Sequence, residues 1–145
     1  MKKIRLSKTD KAKWDEMVSI GVSLVTKHKW KSYTKHQRRF VRFVDMLLKK
    51  YGQTASLLAT RADMMNRYSD KLPYLRKAYQ LAETTRDHKE MVFTAHSLAE
   101  IYIFQRNLRN AAQWINKMKV NLGKYRDKFW QQECRELEEE MRTSF

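Results

Sequence analysis

Three positions set inside apolar, helix-period stretches recur at nearly constant spacing: Gly21, Ala59 and Ala99. Nineteen residues after each comes a second inward-looking position, Phe40, Ala78 and Met118, and the units are offset by 38 and 40 residues. A period in that range implies stacked helix pairs, because one pair cannot bury its apolar face without a neighbour. Such stacks hold surfaces in place for a partner. Three glycines and one proline in 145 residues leave few tight turns, which argues against a sandwich or barrel and for long helices.

The apolar periodicity divides the chain further. A basic arm at 1–9 precedes a first helix at about 10–28, capped by Thr9 or Asp10, with Trp14, Met17, Val18, Gly21, Leu24 and Val25 on one face. Gly21 costs helix propensity, so a close neighbour is expected to need its missing side chain. His28 to Lys31 form a turn, and a second helix capped by Ser32 reaches Tyr51, with Gly52 at its C-cap. A third helix is expected over 54–68, including Met64 and Met65 in its apolar set. A fourth covers 72–85, with Asp70 as cap and Pro73 in the first turn. A fifth at 88–105, a sixth at 108–121 ended by Gly123, and a last at 126–142 complete the chain. Leu108, Ala112, Val120 and Phe129 belong to the apolar stripes. The expected fold is all-α: a right-handed α-α superhelix of three antiparallel helix pairs (10–51, 54–86 and 88–123) with a capping helix at 126–142, in one domain spanning 1–145.

Leu75-Arg76-Lys77-Ala78-Tyr79-Gln80-Leu81-Ala82-Glu83 resembles the second helix of a tetratricopeptide repeat. Leu98-Ala99-Glu100-Ile101-Tyr102 resembles the first-helix core of the next repeat, and Ala111 and Ile115 fall where that family places a small and a larger apolar residue. The likeness covers 54–125 and, more loosely, 11–50. Met17, Ala55 and Ala95 stand where the family places a tryptophan, and Ala59 and Ala99 replace its glycine. The resemblance implies a protein- or peptide-binding scaffold rather than an enzyme. It also implies a concave groove made by Val22, Thr26, Ser56, Thr60, Asp63, Arg67, His96, Glu100 and Ile103.

Charge adds a direction. The net charge is +15, and residues 1–51 hold 15 Lys/Arg against 4 Asp/Glu, whereas 52–107 and 108–145 each hold 8 against 6. A basic end joined to a near-neutral remainder suggests one face that meets an anion-rich partner. Between Lys27 and Arg42 basic and aromatic residues interleave. Lys31, Lys35, Arg38 and Arg42 step by 4, 3 and 4 along one helical ridge, which Arg39 widens. Lys27, Lys29, Trp30 and Lys49 complete the candidate set. Cations release counterions on phosphate contact and aromatics stack on unpaired bases, so such a ridge suits an acidic protein segment or an RNA or DNA backbone.

Chemistry of other kinds has little footing. Three scattered glycines build no phosphate loop. His28, His36, His88 and His96 show no metal-ligand spacing, although His96 and Glu100 share a helix face and Asp63 could oppose them. No catalytic residues, metal or cofactor are expected. The single Cys134 has no intrachain partner and reads as a packed side chain. No stretch approaches the roughly 18 apolar residues of a membrane span, and the Met-Lys-Lys start lacks an apolar stretch behind it. A cytoplasmic protein with no membrane partner is expected, with homodimerisation open to either the first or the last helix.

Overall fold

The computed structural model describes residues 5–144, and every regular element among them is helical. In chain order these are α1 (Lys8–Thr26), α2 (Trp30–Tyr51), α3 (Ala55–Asp63), α4 (Tyr68–Thr84), α5 (His88–Phe104), α6 (Leu108–Leu122) and α7 (Lys128–Ser144). Each helix packs on the next, α3 also touches α5, and α5 touches α7. Residues 1–4 of the expected basic arm lie outside the described residues.

Three joints share one design. His28, Arg86 and Arg106 each take a left-handed backbone, with φ of 55°, 54° and 56°. The following amide closes the preceding helix: Lys29 N to Leu24 O at 2.9 Å, Asp87 N to Ala82 O at 2.9 Å, Asn107 N to Tyr102 O at 2.8 Å. This six-to-one bond is the Schellman closure. The residue that donates it also opens the next helix. Asp87 and Asn107 accept from the amides of Glu90 and Asn110, whereas Lys29 offers no acceptor to α2. Asp127 caps α7 through the Trp130 amide in the same way.

Several boundaries differ from expectation. Ser7, not Thr9 or Asp10, caps α1, and Lys29 rather than Ser32 opens α2. Helix α3 stops at Asp63, leaving Met64 and Met65 in the link. Helix α4 starts at Tyr68, a turn earlier than the Asp70 cap would allow, and the Tyr68 ring packs edge-on against Phe104 at 4.9 Å. Pro73 thus sits past the first turn. It withholds a bond from the Ser69 carbonyl, at an exposed residue that water can serve.

The main core runs from Ala55 in α3 to Leu137 in α7, with Val92, Ala95, Leu98 and Ala99 of α5 fully enclosed at its centre. Cys134 is buried there, and burial pushes its thiol up. A smaller cluster of Phe43, Leu47 and Leu57 joins α2 to α3, with Trp14 and Met17 of α1 packed against it. Six of the expected inward positions face out instead: Val18, Val25, Leu108, Ala112, Val120 and Phe129 are exposed. On α6 the inward line runs Ala111, Ile115, Met118 and Leu122, which leaves Val120 nearly opposite. On α1 only α2 packs along the helix, and Val18, Ile20, Val22 and Val25 stay bare. A Cβ on Gly21 would meet the His36 ring at 3.6 Å, an ordinary contact, so no neighbour requires the glycine.

Candidate anion-binding face

Helix α2 is sharply two-sided. Phe40, Phe43, Val44 and Leu47 are buried, and Lys31, Lys35, Arg38, Arg39, Arg42 and Lys49 are all exposed on the opposite side. At roughly 1.5 Å per residue the row from Lys31 to Lys49 extends about 27 Å. None of these six cations lies within ion-pair distance of a carboxylate among the described residues. Asp45, the one acid on α2, is taken by Arg61 of α3 at 2.9 Å. The face is therefore a row of uncompensated charge held by a rigid element.

At its head Lys27, Lys29 and Trp30 are exposed too. Trp30 leaves 55% of its surface bare, with His28 at 5.9 Å and the edge of Tyr33 at 6.3 Å. The position of α1 alongside depends on an anchor that periodicity does not reveal. Asp10 accepts from Lys50 Nζ at 2.8 Å and from the Tyr51 hydroxyl at 2.6 Å, and that hydroxyl accepts from the Ser7 amide. Lys50 first, then Tyr51, hold the Asp10 carboxyl down to about 2.

The groove residues do not form one surface. Thr60 is half-buried, Arg67 is the exposed residue that opens α4, and Ile103 is 4% exposed and belongs to the core. Thr26 turns its hydroxyl onto the Val22 carbonyl. Ser56 lines a separate cleft with Leu6, Trp14 and Thr54. Asp63 and Glu100 do meet, in a hollow of about 330 Å³ shared with Tyr68, Lys71, Ser97 and Phe104. Desolvation pushes Asp63 up, Lys71 opposes it, and Glu100 adds to it.

His96 points the other way, toward α7. Its Nδ1 lies 3.0 Å from Glu100 and its Nε2 3.2 Å from Glu133, with the Trp130 ring edge-on at 5.3 Å. Desolvation pulls the imidazole down, but Glu100 and then Glu133 outweigh it and leave its pKa above the ordinary value. Both ring nitrogens are thus committed to carboxylates. Among the described residues no group of three or more His, Cys, Asp or Glu has metal-binding geometry. Nor is any helix there long and apolar enough to cross a membrane.

A second polar network was invisible to sequence reasoning. Buried Asn121 accepts from His88 Nδ1 at 3.0 Å and donates to the Tyr79 hydroxyl at 3.0 Å and the Lys117 carbonyl at 2.9 Å. It ties α4, α5 and α6 together. Compared with family models, curated proteins and solved structures, the chain matches none.

Proposed function

We propose that this protein is a non-enzymatic, tetratricopeptide-like binding module that grips an acidic protein or peptide segment through its basic N-terminal helix pair. The six uncompensated cations on the outer face of α2 carry this reading. Cations already neutralised by neighbours would gain little from a partner, whereas these exchange only water and counterions for carboxylates. The sequential hairpins, with α3 against α5 and α5 against α7, support a right-handed superhelical stack as the scaffold. The polar groups around His96 are paired with one another. A cytoplasmic location belongs to the same reading.

Exposed Trp30 at the head of the ridge favours a second reading, sequence-tolerant binding of RNA or DNA. An aromatic face next to cations suits base stacking, worth about 1–3 kcal/mol per base. Fluorescence anisotropy against a labelled oligoglutamate peptide and a labelled single-stranded oligonucleotide separates the two. Under the first reading the peptide binds and the Arg38→Glu, Arg39→Glu, Arg42→Glu triple variant abolishes it. Oligonucleotide binding without peptide binding, steeply salt-dependent and weakened by Trp30→Ala, replaces the first reading with the second. Binding of neither sinks both.

A further inference from the structure

Residues 17–26 of α1 carry no charge, in a chain whose residues are 32% charged. Most of that run is exposed. Val22 leaves 61% of its surface bare, Val18 44%, Ile20 41% and Val25 38%. Val18, Val22 and Val25, spaced by four and three residues, share one helix face and make a continuous apolar patch, with Ile20 on the opposite side of the helix, and such patches mark contact sites. The patch continues through Tyr33, which borders the same shallow hollow as Val18 and Val22, to the bare ring of Trp30. Immediately beside it stand Lys27, Lys29 and Lys31, all exposed and without a carboxylate partner among the described residues.

We propose that this face docks on an anionic lipid surface, with Val18, Val22 and Trp30 entering the headgroup boundary and the three lysines meeting lipid phosphates. The contact shares Lys31 and the head of the face with the α2 ridge, but the other ridge cations lie on the far side of α2 from Tyr33 and take no part in it. Charge decides the occupant. A second copy would bring together two N-terminal segments that each carry 15 Lys/Arg against 4 Asp/Glu. A nucleic acid has no use for bare valines. An anionic bilayer complements both halves of the face at once, taking the aliphatics and the tryptophan at its interface and the lysines at its surface. That no helix crosses a membrane is no obstacle, since a surface contact needs no span.

The test is co-sedimentation with phosphatidylcholine vesicles, with and without phosphatidylglycerol, using the full chain. Wild type should bind the anionic vesicles far more tightly. Val18→Ser with Val22→Ser, which leaves the charge unchanged, should weaken binding about tenfold or more by removing apolar area. Lys27→Gln, Lys29→Gln and Lys31→Gln together should weaken it on the order of a hundredfold, at about 1 kcal/mol per cation. The Trp30 emission, taken as the difference between wild type and Trp30→Phe, should shift to the blue. All these positions are exposed, and far-UV circular dichroism checks that each variant folds.

Vesicle binding untouched by the serine pair, or a Trp30 emission that does not move, would mean adsorption by net charge alone and would overturn the proposal. So would a dimer in sedimentation equilibrium that the serine pair dissolves while vesicles remain unbound. Saturable binding of an acidic amphipathic peptide at this face, with no vesicle binding, would overturn it as well.

Discussion

His96 couples protonation to packing, because its Nε2 ties α5 to Glu133 of α7 while Glu100 on its own helix holds the other ring nitrogen. Glu100 titrates below its ordinary 4.5, first because His96 hydrogen-bonds to it, so its contribution is in place above that pH and is lost as pH falls through the lower folded value. His96 titrates above 6.5, so its contribution is in place below 6.5 and is lost as pH rises through the higher folded value. The contact is complete between about 4.5 and 6.5. Asp63, pushed up chiefly by desolvation, costs stability as pH climbs from 3.8 through its folded value. Urea midpoints should therefore fall between pH 6 and pH 8 in wild type, and His96→Gln should flatten that fall; an unchanged slope would show the contact to be thermodynamically silent. Gly21 offers a simpler check. Its missing side chain has ordinary space beside His36, so Gly21→Ala should raise stability by about 0.5–1 kcal/mol through helix propensity. A loss in urea melts would mean that the two helices approach more closely than 3.6 Å implies.

Among the elements, the three Schellman joints differ in one respect that can be measured. Lys29 sits at φ −89° and ψ 69°, close to the −88° and 85° of Asp87 and the −93° and 81° of Asn107, yet it alone lacks an accepting side chain. Lys29→Asn should supply the missing cap and add about 1 kcal/mol. Arg106→Gly should add about 0.5–1 kcal/mol by relieving a left-handed backbone at an exposed position, net of the freedom glycine gains when unfolded. Chemical denaturation reads both, and a loss of stability in either would mean that the side chain removed makes a compensating contact. These joints also show what the sequence reveals and what it hides. Periodicity located all seven helices, because the apolar step of 3.6 is local, and it set the ridge of α2 correctly opposite Phe40, Val44 and Leu47. It missed the left-handed arginines, since the familiar signal there is glycine. It also missed Asp10 and Asn121, whose partners lie 40 or more residues away in Lys50, Tyr51 and Tyr79. Ile103 turned into the core for a related reason: helix rotation about its axis decides which residues face outward, and only packing fixes that rotation.

At the scale of the whole molecule, burial is divided unequally. Helix α5 meets α3, α4, α6 and α7, and nine of its residues are buried. Helix α1 meets only α2, and its one buried residue is Asp10, a polar anchor rather than an apolar one. Because local opening follows the apolar contact that must be broken, the two ends of the chain should open at very different free energies. Hydrogen exchange read by mass spectrometry should find the amides of Lys8–Thr26 exchanging first and those of His88–Phe104 last. Asp10→Asn should speed exchange in α1 and leave α5 unchanged, since the ties from Lys50 and Tyr51 hold only the first helix. The same anchor gives the effect a pH signature. With the Asp10 carboxyl held down to about 2, its contribution is in place above 3.8 and is lost as pH falls toward 2, so α1 should loosen on acidification before the core does. Such loosening would disturb the N-terminal helix pair that is proposed to meet the partner. Uniform protection from α1 to α7 would show instead that the α1–α2 pair unfolds only with the rest, and that the bare valines of α1 do not mark a weak end.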